Sequence, residues 1–391
     1  MSLLPQNEVA RNNSGVKGAF DYKPIFSQIK KHLKDSDYLI GNLETPIGGE
    51  SLEYTKDNTV FNTPKEFVEA IKDAGFHFLS TSNNHCLDRG FEGLKNTLDC
   101  LDSLEVEHSG TYLTNEESNK IFIKDIKGVK IALLAYTYGT NSEWQNNVLS
   151  PDKQFTVDLF RHQDDFNNIK HPALITAIKS IIKNVLPQNI REKIKPIVIE
   201  DCVRKIDSRD AAYIDRLKDK IARAKEEADL VVMYMHTGGQ YNSVVGDYTK
   251  TLTANLKDWG CDLIIGSHPH CVLPYEYIGD VFAAYSLGNF CFTPDFGYYY
   301  KGVFADFSVV VTVELSSENK TIEGISFFVT KVVTEKDGNS VVYHVGDLYK
   351  KINSKQQIQL LDDTCSVISR FVGKQINHID IEKNSFNIKD F

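Results

Sequence analysis

Between residues 20 and 140 the apolar positions switch repeatedly between two periods. Stretches spaced at three and four residues predict helices over 23–34, 64–74 and 90–104, and each is followed by a short apolar run, at 38–41, 76–80 and 106–108, that predicts a strand. Residues 130–136 are almost all apolar, the pattern of a strand covered on both faces. The stretch 207–228 predicts a long helix whose charged face carries Arg216, Lys218, Lys220, Arg223, Lys225, Glu226 and Glu227. It delivers the chain into the run Leu230-Val231-Val232-Met233-Tyr234-Met235. After 280 the pattern is strongly β, with strands expected over 281–287, 303–315, 323–333 and 340–345, a closing helix over 353–372 and a polar tail, 377–391, expected to fray. Strand and helix in alternation argue for an α/β layered domain with its active groups at the carboxyl ends of the strands.

Residues 141–206 interrupt that rhythm. A polar start at 141–147 leads to an amphipathic stretch at 172–185, then Pro187, Pro196 and the apolar piece Ile197-Val198-Ile199. Placed between two core strands, this insertion reads either as a cap over a site or as a surface elaboration. The expected organisation is one domain over 1–350 carrying the insertion, then a C-terminal helix and tail over 351–391.

Composition narrows the function classes. The 391 residues are 41% apolar, enough for a sizeable core, and the formal charge of −9 comes without a basic stripe, so nucleic acid is excluded as the main partner. No window reaches the apolar length of a membrane span, and Met1-Ser2-Leu3-Leu4-Pro5-Gln6 lacks a basic region followed by an apolar core, so the chain as it stands is expected to be soluble and cytoplasmic. An anchor missing from this chain would instead make the protein membrane-associated or extracellular. Seven cysteines, an odd number without a CxxC pair, argue for reduced thiols.

Four polar clusters lie just beyond β-like runs. His268-Pro269-His270 follows Leu263-Ile264-Ile265 and the small pair Gly266-Ser267, and His236-Thr237-Gly238-Gly239 follows the run at 230–235. Asn83-Asn84-His85 comes shortly after Phe76-His77-Phe78-Leu79, and Gly41-Asn42-Leu43-Glu44 follows Tyr38-Leu39-Ile40. Imidazoles and a carboxylate gathered at neighbouring strand ends suit borderline or hard divalent cations, and together they read as one metal-centred hydrolytic site.

In this order the clusters, with Asp88 and with Tyr285-Ser286-Leu287-Gly288-Asn289-Phe290, resemble the calcineurin-like metallophosphoesterase superfamily, more closely its CapA-like branch of capsule and poly-γ-glutamate synthesis proteins. The resemblance implies a four-layer α/β/β/α sandwich and two divalent ions (Mn, Fe or Zn). It makes Glu44, Asn84, His236, His268 and His270 the metal ligands, with Glu44 bridging or flanking the ions. His85 and Asp88 become the catalytic pair, Asp88 orienting His85, and Asn42 and Asn289 contact substrate or support a ligand. Two competing assignments stand beside these: Glu44 as a solvent-facing residue before the Thr45-Pro46 turn, and Asp88 as a cap on the helix that begins near Phe91. The remaining histidines, 32, 77, 108, 162, 171, 344 and 378, and the cysteines near the site, Cys86, Cys271 and Cys291, read as structural. The aromatic group Phe290, Phe292, Phe296 and Tyr298-Tyr299-Tyr300 reads as a core or dimer contact.

One departure from the superfamily stands out. Its first strand ends in Gly-Asp, the Asp being a ligand, whereas this chain starts at Met1-Ser2-Leu3, where the residues after that Asp would lie. The function implied is a metal-dependent hydrolase using a metal-activated water, its substrate an anionic polymer or a phosphoester, in association with a membrane-bound capsule-synthesis complex. The alternatives are a metallophosphoesterase on a small phosphomonoester or phosphodiester, and a non-catalytic binding or scaffold relative lacking the first ligand Asp.

Overall fold

A computed structural model describes residues 4–56, 60–145, 147–163, 201, 206–241, 243–292 and 302–391. The features expected at 172–185 and 187–199, together with Phe296 and the tyrosines at 298–300, lie outside the described residues. The fold is mixed α/β, with three sheets among the described residues.

The largest has six strands in the order β4 (Ile123–Ile126), β5 (Val129–Thr137), β6 (Leu230–His236), β7 (Leu263–Ser267), β9 (Val281–Ala284) and β8 (Tyr275–Ile278). β5, β6, β7 and β9 are parallel, while β4 and β8 close the edges as antiparallel partners of β5 and β9. Parallel strands of this kind are apolar on both faces because both are covered. One face of β5–β7 (Ile131, Leu133, Val232, Ile265) packs into the central core, and the other (Leu134, Val231, Met233, Ile264) packs under the helices Ala211–Glu227 and Asp247–Trp259. In the first of these helices Tyr213, Leu217, Ile221 and Ala224 recur at three- and four-residue spacing and are buried. Lys220 lies on the same buried side, its Nζ 2.8 Å from Asp158 Oδ2 and donating to Tyr112 Oη at 3.0 Å.

The second sheet is parallel: β1 (Ile40–Asn42), β2 (Phe78–Ser80) and β3 (Glu107–Ser109). The third is antiparallel: β10 (Phe307–Ser316), β11 (Thr321–Thr334) and β12 (Ser340–His344), with β13 (Phe386–Asn387) also on β11. The helix Ser354–Val372, opened by an Asn353/Gln356 capping box and closed by Gly373 in the left-handed region, puts Leu360, Val367, Ile368 and Phe371 into the central core.

Two expectations change. The stretch 23–34 is not one helix but two short ones, Lys23–Phe26 and Lys30–Leu33; Ser27 Oγ donates to Pro24 O at 2.8 Å, a local bond that competes with helix continuation. The tail does not fray. Ile379, Ile381, Phe386 and Ile388 are buried in the central core, and β13 pairs with β11, so a few apolar residues among many polar ones anchor it.

β1 and β10 are the end strands of their sheets. Both line a single cavity of about 1210 Å³ that also reaches Glu44, His268 and His270.

Candidate metal centre

Parallel pairing brings the polar clusters together. β1 and β2 end at one edge of their sheet, β6 and β7 at one edge of theirs, and the residues just beyond all four converge. Glu44 lies two residues past β1, Asn84 and His85 in the turn after β2, His236 at the last position of β6, and His268 and His270 past β7. The two post-β7 histidines lie beyond the strand, not on it. β7 stops at Ser267, and His268 and His270 both have positive φ, +100° and +58°. Such backbone costs a non-glycine residue of order 1–3 kcal/mol and persists where the surroundings impose it, commonly at ligand-holding sites. Gly266 is required by close approach, since a Cβ there would lie 2.1 Å from Tyr285 O.

Glu44, His236, His268 and His270 are all buried, which removes the solvent-facing assignment for Glu44. Glu44 Oε1 lies 3.7 Å from His236 Nε2 and 3.8 Å from His270 Nε2, and has no hydrogen-bond partner among the described residues. One ligand atom each from Glu44, His236 and His268 fall within 4.8 Å of one another. Asn84 Oδ1 is 2.9 Å from His236 Nε2, and Asn42 Nδ2 reaches Glu44 Oε2 at 3.4 Å. Ser267 Oγ, 2.9 Å from His236 Nδ1, can accept or donate and so admits either tautomer of that ring.

The His270 ring is fixed through Nδ1. Its Nδ1 donates to Asn289 Oδ1 at 2.9 Å, and Asn289 Nδ2 donates to His270 O and Ala305 O. Both ends of the Asn289 amide are thereby engaged in orienting His270. A ligating histidine whose second nitrogen is fixed in this way has its tautomer set in advance.

Burial pushes the His236 imidazole down to about 4, takes His268 well below its ordinary value and lowers His270 as well. At neutral pH these rings are uncharged, with lone pairs available. Burial pushes the Glu44 carboxyl up, but attraction to His270, His236 and His85 outweighs it and leaves the carboxyl below its usual range, an attraction that operates when a ring carries a proton. A buried carboxylate oxygen without a hydrogen bond, among neutral imidazoles, fits a divalent cation by charge and by donor type.

His85 Nδ1 donates to Asp88 Oδ2 at 2.7 Å, and Asp88 also accepts from Phe61 N at 2.6 Å and, through Oδ1, from Gln145 Nε2 at 2.7 Å. The next helix, Gly90–Ser103, has Arg89 at its N-cap and no side-chain cap, so the Asp88 carboxylate serves the imidazole. Burial lifts the Cys86 thiol to about 12, which suits a packing residue.

Several groups at the site carry no strand-end signal. Asn141, in the left-handed region with φ +55°, accepts from Asn84 Nδ2 at 3.0 Å, and Gln145 bonds Asp88; both come from the first turn of the insertion. The polar start at 141–147 was the available clue, without any indication of direction. Tyr138 and Tyr241 place their rings 4.7 and 5.0 Å from His268 and His270. A second group of potential ligands, His32, His344 and Asp347, is already spoken for: His344 Nδ1 accepts from Gly346 N and its Nε2 donates to Asn384 O.

A profile of the family described as bacterial capsule synthesis protein PGA_cap matches residues 3–294. Among curated proteins, the chain is 27% identical over 271 residues to the PGA biosynthesis protein CapA of Bacillus subtilis (strain 168), covering 68% of this chain and 56% of that one. It is 25% identical over 295 residues to the capsule biosynthesis protein CapA of Bacillus anthracis, covering 75% and 59%. An uncharacterized protein, y4sH, of Sinorhizobium fredii (strain NBRC 101917 / NGR234) is 23% identical over 290 residues. The chain thus spans little more than half the length of the two CapA relatives.

Proposed function

This chain belongs to the bacterial capsule synthesis protein family PGA_cap, and on that premise we propose that it is a metal-dependent hydrolase acting on an anionic capsule polymer of the poly-γ-glutamate type. The names of the two CapA relatives supply the polymer. The observation that carries the hydrolytic part is Glu44 Oε1, buried without a hydrogen bond between the Nε2 atoms of His236 and His270.

In this reading Glu44, Asn84, His236, His268 and His270 hold divalent metal, in a fold of the four-layer α/β/β/α type. The bound metal supplies Lewis acidity and a water activated near neutral pH. The remaining work falls to the chain's own residues. Asp88 accepts a hydrogen bond from His85 Nδ1–H and stabilises the ring in its doubly protonated form, whose Nε2–H is the proton passed to the departing group, leaving the neutral Nδ1–H imidazole. Phe61 N and Gln145 hold the Asp88 carboxylate still while this happens. Asn289 and Ser267 fix the rings of His270 and His236, and Asn42 steadies the Glu44 carboxylate.

The test is metal content of the purified chain by inductively coupled plasma mass spectrometry, with glutamate release from poly-γ-glutamate compared against hydrolysis of bis(p-nitrophenyl) phosphate. Metal with glutamate release is the expected result. Metal with phosphodiester hydrolysis alone would move the assignment to a metallophosphoesterase of small substrates. Metal with neither activity, or no metal after incubation with Mn and Zn, would make the chain a binding relative.

A further inference from the structure

Asn141 belongs to no strand-end cluster, yet its side chain meets one. It lies shortly after β5 in the left-handed region, φ +55°, and its carbonyl accepts from Gln145 N at 3.0 Å to open the turn Ser142–Gln145. Asparagine is among the few non-glycine residues at ease in that region, which explains its presence in a turn but not the reach of its side chain. Asn141 Oδ1 accepts from Nδ2 of Asn84, 57 residues away in the chain, at 3.0 Å. The backbone on either side is tied to the same centre: Tyr138 N donates to His236 O at 3.0 Å, and Asn147 Nδ2 donates to Leu87 O at 3.3 Å.

Asn84 is buried, and the two ends of its amide differ, one an acceptor and the other a donor. Its Oδ1 lies 2.9 Å from His236 Nε2, a bond in which Nε2 donates and Ser267 Oγ then donates to Nδ1. A half-turn of the Asn84 amide would satisfy the same three groups equally well, with Nδ2 donating to a bare Nε2 and Nδ1 donating to Ser267 Oγ. For a cation the two patterns are opposite. The first aims a carbonyl lone pair at the ligand side of His236; the second puts an NH2 group there. Asn84, His236 and Ser267 do not decide between them.

Asn141 does, because an acceptor at its Oδ1 demands the NH2 end of Asn84. Its own direction has a cause in charge. Asn141 Nδ2 lies 3.5 Å from His85 Nδ1, too far for a strong bond and with that proton committed to Asp88, but the His85–Asp88 pair as a whole is negative and favours the positive, NH2 end of an amide beside it. We infer that Asn141 is a positioning residue: oriented by the His85–Asp88 pair, it keeps the Asn84 carbonyl turned to the cation. This rests on the reading of Asn84 as a metal ligand.

The test is the His236 tautomer, read from the nitrogen-15 spectrum of the histidine-labelled, metal-free full chain and assigned by its loss in His236→Gln, together with calorimetric titration of Mn. The unaltered chain should carry the proton on Nε2. Glycine suits φ +55°, so Asn141→Gly should keep its Tm while the proton shifts toward Nδ1 and Mn binding weakens about tenfold, the worth of one hydrogen bond. Asn141→Asp, an acceptor at both oxygens, should keep the Nε2 proton and the affinity. A proton on Nδ1 in the unaltered chain would overturn the inference with no variant needed. So would an unchanged tautomer in Asn141→Gly, whether or not Mn binding fell, because any loss would then arise elsewhere in the turn. The tautomer is read without metal, so a chain that binds no Mn but shows the expected shift would count against the hydrolytic reading alone.

Discussion

Replacing Glu44 by glutamine isolates the charge at the centre from its shape. The amide has nearly the same volume, and its oxygen can still accept from Asn42 Nδ2, which lies 3.4 Å from Glu44 Oε2. The negative charge is lost, and one of the two acceptor oxygens becomes an NH2 donor. The His236 and His270 Nε2 atoms lie 3.7 and 3.8 Å from Glu44 Oε1, so a cation they hold sits within about 4 Å of the carboxylate, and one pair of unit charges at about 4 Å is worth about 4 kcal/mol at an effective dielectric constant of about 20. That energy corresponds to about a thousandfold in a dissociation constant. Glu44→Gln should therefore weaken Zn or Mn binding about a thousandfold in a calorimetric titration of the metal-free chain. The stability of the metal-free chain in urea should move by no more than about 1 kcal/mol. A Kd within threefold of the unaltered chain would refute the reasoning, since the carboxylate would then not face the cation. A metal-free chain that loses several kcal/mol would show that Glu44 is a structural residue.

Further outcomes follow from the same geometry. His268→Ala should remove metal while leaving the far-ultraviolet circular dichroism unchanged, and full metal stoichiometry in that variant would take His268 out of the site. Asp88→Asn should retain metal and lower kcat by about 10²- to 10⁴-fold; a kcat within threefold would mean that the His85–Asp88 pair is structural. His344, outside this cluster, caps Gly346 N through Nδ1, and burial together with the neighbouring His32 pushes its ring down to about 4. Its folded-state value lies below the unfolded value near 6.5, so its contribution is complete above pH 6.5 and is lost as the pH falls toward 4. The unaltered chain should lose up to about 2 kcal/mol more than His344→Asn between pH 7 and pH 5 in urea unfolding. Equal losses in the two chains would assign the acid sensitivity elsewhere.

The sequence by itself determined the elements and the chemical character of the site. Helices such as Ala211–Glu227 and Ser354–Val372, and strands such as β5, β6 and β11, were legible because apolar periodicity is a local property, written within ten to twenty residues. His236, the His268/His270 pair and Glu44 were legible because each follows a short apolar run, and parallel strands deliver such positions to one edge. What required tertiary structure depends on contacts between distant segments. The positive φ values that turn His268 and His270 toward Glu44, the use of Asn289 to orient His270, and the arrival of Asn141 and Gln145 from the insertion have no periodic signature. The anchored tail is a case of the same kind, since Ile379, Ile381 and Phe386 are too few to show against a polar background yet find a core contributed by β11. So is the cavity between β1 and β10: whether a strand's edge is covered is set by what lies beside it in space, and neither strand carries that information in its own residues.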